Sequence, residues 1–149
     1  MLRGDGSGRL SPVPASESGL IVPGDAKALA VIDLDHDGWP DFLVTRNNDT
    51  TVAFRNGGVS GRHSLGVCLR GQAGNPSAIG SQVFVIKRDG TTQVSEIHAG
   101  SGHYSQSAPS CFFGYVESNP PLQVRVRWPS GNVTIHPVPP GSVRLVLTA

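Results

Sequence analysis

A nine-residue segment in the first third of the chain carries four aspartates with regular spacing. They are Asp33, Asp35, Asp37 and Asp41, at positions 1, 3, 5 and 9 of the segment. Carboxylates this close repel one another without a cation, and hard oxygen ligands in that number favour Ca²⁺ over zinc or copper. Gly38 at position 6 and the carbonyl of Trp39 at position 7 match the order of an EF-hand loop. The segment therefore predicts a Ca²⁺ site, with a metal-free aspartate-rich turn as the alternative.

The segments around these aspartates predict strands, unlike the helices that flank an EF-hand loop. Residues 28–32 before the loop and 42–45 after it are short apolar runs typical of strands. A third strand is expected at 51–54, after the turn Asn47-Asn48-Asp49. The calcium loop would then connect two strands of a small β unit over residues 24–58.

Two stretches of the chain resemble known families. Residues 24–56, with their D-x-D-x-D-G-x-x-D loop, resemble an FG-GAP/VCBS-type repeat, which implies a calcium-binding unit of integrin-like β-propellers. From His63 to the C-terminus the chain resembles the ASPIC/UnbV domain of cartilage acidic protein and many bacterial secreted proteins. The segments that carry this second resemblance are NPSAIG (75–80), AGSG (99–102), SQS (105–107), FG (113–114) and RWPSG (127–131). The chain departs from that pattern at His103, where the family usually has tyrosine, and at Tyr115-Val116, where it usually has Leu-Gly.

The composition and periodicity predict an all-β protein. The chain has 149 residues with 19 glycines and 12 prolines, and no window shows a sustained helical period. Asp89-Gly90 between the apolar runs 82–86 and 92–97 predicts a hairpin, and 122–128 and 142–147 alternate apolar and polar residues. We expect one propeller-type calcium-binding repeat packed with an antiparallel β-sandwich or small barrel.

Three segments follow from these patterns: an extended N-terminal arm or linker (1–22), the calcium repeat (24–58) and the ASPIC/UnbV-like β domain (62–149). A propeller needs four or more blades, so a single repeat leaves unpaired strand edges. The sandwich domain in cis, an upstream propeller or a neighbouring copy could cover these edges.

Charge and hydropathy exclude two classes of partner and suggest a location. The net charge is +1 without a basic cluster, which argues against nucleic-acid binding. No apolar run approaches the roughly 18 residues of a membrane span. An open aspartate loop requires the high calcium found outside cells, while the N-terminus lacks a signal peptide. We therefore expect a mature or partial chain of an extracellular or cell-surface protein.

Cys68 and Cys111 are the only cysteines, and both fall in expected strands. They are either a disulfide or two buried thiols that pack as small apolar groups. Asn48 and Asn132 begin N-glycosylation sequons, with ordinary turn asparagines as the alternative.

Nothing in the sequence predicts catalysis. The five histidines lack zinc-ligand spacing, and there is no nucleophile elbow or phosphate-binding loop. We expect a secreted, calcium-stabilised structural or interaction module without enzymatic activity. It would form a homo-oligomer or bind another extracellular protein, with the N-terminal arm adding to a neighbour's sheet to build a head-to-tail filament. The alternatives are a carbohydrate-binding module that exposes Tyr104, His103 and Trp128, although Trp128 is the better core residue, and an accessory domain of a larger secreted protein.

Overall fold

The computed structural model describes residues 1–149 as twelve strands and one short helix. The elements are β1 (Leu2–Gly4), β2 (Leu10–Pro12), α1 (Ala15–Ser18), β3 (Ala26–Ile32), β4 (Asp41–Arg46), β5 (Asp49–Phe54), β6 (Arg62–Arg70), β7 (Gln82–Lys87), β8 (Thr92–Glu96), β9 (Ser110–Val116), β10 (Pro121–Arg127), β11 (Val133–Pro137) and β12 (Arg144–Thr148). The all-β prediction is confirmed. No helix has the length and apolar character that crossing a membrane requires.

Two sheets enclose the hydrophobic core of the C-terminal unit, which runs from β6 to the end of the chain (62–149). One has the order β11-β10-β7-β8 and the other β12-β6-β9, and neither closes into a barrel. Their inward-facing residues, with four residues from the adjoining loops, form one buried cluster. It contains Leu65, Val67, Leu69, Ala78, Val83, Val85, Ile97, Cys111, Phe113, Val124, Val126, Trp128, Val138 and Leu147. The sandwich alternative therefore describes this unit, and the small barrel does not.

The alternation in β10 predicted its buried face with one exception. Val124, Val126 and Trp128 are buried, as expected for every second residue of a strand. Leu122 belongs to the same alternation but is 49% exposed. The pairing of β10 with β7 shifts register between Pro121 and Gln123, and this irregularity separates Leu122 from the buried face.

The expectation of purely antiparallel pairing is wrong for β12. This strand pairs in parallel with β6, with Arg144 opposite Gly66 and Thr148 opposite Arg70. The chain crosses from β11 at the edge of one sheet to β12 at the edge of the other. The apolar alternation of a strand identifies its buried face but not its direction, so the sequence pattern could not distinguish the two pairings.

The strands β3, β4 and β5 form a separate antiparallel sheet, as the repeat pattern predicted. A segment of the C-terminal unit covers the β3 edge. Ser105 Oγ donates to the Leu29 carbonyl at 2.6 Å, and Val31 N donates to Ser107 Oγ at 3.0 Å. The backbone of Ala108 donates to the Val31 carbonyl at 2.9 Å. The cover is thus supplied in cis, while β5 has no strand partner on its outer edge.

Residues 1–22, expected as an extended arm or linker, are not extended throughout, because they contain a hairpin and one turn of helix. β1 and β2 pair with each other, with Leu2 opposite Pro12 and Gly4 opposite Leu10. The Asp5 carboxylate accepts hydrogen bonds from the backbones of Ser7 (2.8 Å) and Arg9 (3.2 Å) and so closes the turn. Polar, Gly-rich sequence is typical of tight turns as well as of linkers, which is why composition alone was misleading.

Candidate metal centre

The acidic loop connects the paired ends of β3 and β4. Ile32 lies opposite Asp41, so the intervening residues must reverse the chain within a hairpin. His36 and Gly38 both have left-handed backbones, with φ of 63° and 86°. This fold of the loop turns alternate side chains inward. One carboxylate oxygen from each of Asp33, Asp35 and Asp37 lies within 4.8 Å of the others.

Hydrogen bonds inside the loop fix two of these three carboxylates. Asp33 Oδ2 accepts from Gly38 N at 3.1 Å, and Asp37 Oδ1 accepts from Trp39 N at 2.9 Å. The second oxygen of Asp33, Oδ1, is buried and has no hydrogen-bond partner. A buried carboxylate oxygen without a partner is costly, and a cation coordinated by it would remove that cost.

Asp41, the fourth predicted ligand, lies outside this group of three. It is 1% exposed and joins separate parts of residues 24–58. Its Oδ2 accepts from Leu34 N at 2.8 Å, and its Oδ1 accepts from Asn56 N at 2.7 Å. Because a carboxylate can accept about four hydrogen bonds, each oxygen keeps a lone pair. The role that the structure shows for Asp41 is to connect the start of the loop, β4 and the end of β5.

Trp39, whose carbonyl was the fifth predicted ligand, is half-buried beside this group. A Cβ built on Gly58 would lie 3.1 Å from the Trp39 ring, so the indole packs closely on that glycine. The ring thus packs the loop against the chain that leaves β5.

Arg55 is a member of the site that sequence reasoning missed. Its Nε pairs with Asp35 Oδ2, and its Nη2 lies 3.4 Å from Asp37 Oδ2. Desolvation acts to raise the pKa of Asp35, but the hydrogen bond and charge of Arg55 outweigh it and the pKa falls below its ordinary value. The hydrogen bond and charge of Asp35 raise the pKa of Arg55 in turn. No local pattern relates residues twenty positions apart, so only the pairing of β4 with β5 reveals this contact.

The donor set fits a hard divalent cation. The three grouped carboxylates carry three negative charges, and Arg55 supplies one positive charge. The cluster offers only oxygen donors, which suits calcium or magnesium and not a soft metal. The unpartnered Asp33 oxygen gives the same indication independently of the charge count.

The loop packs on the outer face of the β12-β6-β9 sheet. Gly38 is buried there, and a Cβ at this position would lie 2.2 Å from the Val143 carbonyl and 3.2 Å from the Ser64 carbonyl. Gly66 of β6 lies opposite, where its own Cβ would be 3.6 Å from the Gly38 Cα. Two glycines therefore allow backbone to pack on backbone at the junction of the two units.

Comparison with known proteins identifies the family of the C-terminal unit. The family model described as ASPIC and UnbV matches residues 71–149. The chain belongs to the ASPIC and UnbV family. No curated protein matches the chain. The match begins after β6, although β6 is the central strand of its sheet. The structural unit therefore includes residues that precede the ASPIC and UnbV match.

The short motifs of the ASPIC and UnbV region have structural roles here. Asn75 holds its loop closed, since Nδ2 donates to the Ile79 carbonyl (2.9 Å) and Oδ1 accepts from Ile79 N (3.0 Å). Ala78 of the same loop is buried, with φ of 52°. The serines of the SQS motif bind the β3 edge, as described above. The sequence alone indicated no role for these serines, and the contacts with β3 supply one.

The two cysteines are free thiols in the structure. Cys111 lies opposite Val67 and faces the core, whereas Cys68 lies opposite Ser110 on the other face of the sheet. A disulfide requires Cβ atoms that point toward each other, and this register points them apart. Burial raises the pKa of the Cys111 thiol. The geometry favours the alternative of two thiols.

The remaining predicted sites lie apart from the metal centre. Asn48 and Asn132 are exposed in turns, which suits either alternative for the sequons. Trp128 is 4% exposed and its indole N–H donates to Thr134 Oγ1 at 2.9 Å, as expected of a core residue. Tyr104 is 76% exposed, with the Lys27 ammonium 5.2 Å from its ring centre.

Proposed function

We propose that residues 24–58 are an FG-GAP/VCBS-type calcium-binding repeat, and that the whole chain is a non-catalytic, calcium-stabilised structural module. The observation that carries the proposal is the convergence of Asp33, Asp35 and Asp37 around a buried oxygen with no partner. Calcium would be held by these three carboxylates, with Asp41 and the Trp39 carbonyl as further candidate ligands. Bound there, the cation neutralises the loop and keeps β3 and β4 in place.

Calcium would also act on the junction between the two units. Gly38 belongs to the acidic loop and packs on the backbone of Val143 and Ser64. A loop that loses its metal becomes free to expand, and any expansion must disturb this close contact. The module would therefore keep its shape in calcium-rich surroundings. This requirement supports an extracellular or cell-surface location, because open loops of this kind bind calcium weakly.

Thermal unfolding with and without calcium tests the proposal. A metal that binds only the folded state raises its stability by mass action, so excess calcium should raise Tm above the value in excess chelator. Asp35→Asn should remove most of that increase. Asp25→Asn is the matched control, because Asp25 belongs to the same repeat but lies outside the loop. Equal Tm values in calcium and in chelator would refute the proposal.

Self-assembly is the second candidate function, and the outer edge of β5, which has no strand partner, favours it. β1 and β2 already pair with each other, so strand donation by residues 1–22 would require this hairpin to open or to add as a unit. Light scattering on the chain with and without residues 1–22, both with calcium, shows whether the protein assembles and whether assembly requires these residues. Monomers in both samples at high concentration would exclude assembly.

Carbohydrate binding now depends on the exposed Tyr104 and His103 alone, since Trp128 is buried. A glycan array with the native protein and with Tyr104→Ala tests this alternative. Binding that persists in the variant would place any glycan elsewhere.

A further inference from the structure

Arg55 places a positive charge directly beside two of the carboxylates proposed to bind calcium. It is the first residue after β5, and its side chain is 66% exposed, yet it reaches both Asp35 and Asp37. Its neighbour Asn56 fixes this placement, because Asn56 N donates to Asp41 Oδ1 at 2.7 Å and Asn56 Nδ2 to the Pro40 carbonyl at 3.3 Å. These bonds of Asn56 hold Arg55 where its guanidinium reaches the acidic cluster.

We propose that Arg55 is a built-in counter-cation that competes with calcium for the loop. This inference rests on the calcium site proposed above. Without metal, Arg55 neutralises part of the charge of Asp35 and Asp37 and keeps the loop folded. When calcium binds, the divalent ion takes the oxygens that face Arg55, and the guanidinium moves into solvent.

The energetics suit an exchange of this kind. Ion pairs of exposed side chains are weak, because water screens them and both chains lose freedom. A divalent cation held by several carboxylates at once therefore displaces such a pair readily. Arg55 would lower the calcium affinity of the loop without abolishing binding. The resulting site responds to high calcium and still has a folded state when calcium is scarce.

Arg55→Met tests the proposal, because methionine keeps much of the aliphatic length and removes the charge. The variant should bind Ca²⁺ roughly two- to tenfold more tightly by calorimetry, the range expected for one or two exposed ion pairs. It should also melt at a lower temperature than the native protein in excess chelator. Arg55→Lys, which keeps the charge but cannot bridge two carboxylates with a planar fork, should fall between the two.

Arg144→Met is the matched control. Arg144 lines the same cleft as Asp33 but forms no ion pair. Its removal measures the general effect of one fewer positive charge near the loop. A direct readout is the side-chain Nε–Hε resonance of Arg55 in NMR spectra, which should shift on calcium addition as the guanidinium leaves the carboxylates.

The outcomes separate this inference from the calcium proposal. If the native protein and Arg55→Met bind calcium equally, Arg55 does not compete, and the calcium site still stands. If Arg144→Met tightens binding as much as Arg55→Met, the effect is one of net charge and the inference fails. If no variant binds calcium at all, the calcium proposal and this inference fail together.

Discussion

Gly38 serves the acidic loop and the junction between the two units at once. Its φ of 86° is one that residues with a side chain adopt only with strain, and a Cβ there would overlap the Val143 carbonyl. A glycine at position 6 was expected from the turn alone. The second requirement, close approach to another sheet, could not be predicted from the loop sequence.

Gly38→Ala should therefore destabilise the protein more than a left-handed glycine elsewhere. We expect a loss of at least about 2 kcal/mol, because overlap with backbone adds to the backbone strain of about 1–2 kcal/mol. Gly24→Ala is the matched control, since Gly24 has φ of 82° shortly before β3 but no atom within 4 Å of the point where a Cβ would lie. Urea unfolding measures both variants. Equal losses in the free energy of unfolding of the two variants would show that the close approach to Val143 adds no cost to a side chain at position 38.

Asp33 is the aspartate with the buried unpaired oxygen, and its charge should have opposite effects with and without calcium. Asp33→Asn removes one charge from the cluster and can offer an amide N–H where the carboxylate oxygen had no partner. In excess chelator we expect Tm to stay level or rise. In excess calcium we expect the variant to fall below the native protein by several degrees, because the proposed calcium site would lose a ligand. If the variant keeps the full calcium-dependent rise in Tm, Asp33 is not a calcium ligand.

At the scale of the elements, the SQS segment covers an edge that would otherwise be open. Replacing Ser105 and Ser107 together by alanine removes two side-chain hydrogen bonds to β3, each worth about 0.5–1.5 kcal/mol. We expect faster limited proteolysis within residues 98–108 and a lower Tm. Ser60→Ala, in an exposed turn, is the control. Unchanged proteolysis in the double variant would mean that the backbone hydrogen bond of Ala108 alone holds this segment on the β3 edge.

The register of β6 and β9 makes a prediction for the thiols. Digestion of the non-reduced protein should give both Cys68 and Cys111 as alkylated peptides and no cross-linked pair. In the native protein Cys68 should react first, because Cys111 is buried and burial raises the pKa of its thiol. Recovery of a Cys68–Cys111 cross-linked peptide would contradict the register.

The strands could be predicted from the sequence far better than their arrangement. The alternation in β10 and the Asp-Gly turn of β7 and β8 are local patterns, and both are found where expected apart from the exposed Leu122. The parallel pairing of β12, the hairpin of β1 and β2 and the contact of Arg55 with Asp35 depend on residues distant in sequence. A single chain carries no local signal for such contacts. Three of the four loop aspartates converge as their spacing predicted, while Asp41 is occupied by backbone groups of Leu34 and Asn56.

At the scale of the whole molecule, the two units share contacts that make independent unfolding unfavourable. The β3 edge is bonded to the segment 105–108, and the acidic loop lies on the β12-β6-β9 sheet. The β3-β4-β5 sheet contributes little to the buried core, because all residues of the large core cluster lie in the C-terminal unit. A three-stranded sheet with so little buried surface of its own depends on its neighbour for stability.

We therefore expect a single cooperative unfolding transition in calcium that involves both units. In excess chelator the loop would lose the cation proposed to hold it, so the β3-β4-β5 sheet should unfold first. Calorimetry should then show a broadened profile or a separate transition at lower temperature, while the C-terminal unit melts near its original temperature. Tryptophan fluorescence offers an independent assignment, because Trp39 lies in the loop between β3 and β4 and Trp128 in the sandwich core. Trp39→Phe should remove the early optical change and keep the late one. If the protein in chelator still unfolds in one sharp transition, with the same midpoint for both tryptophans, the units are coupled through contacts that do not require the metal.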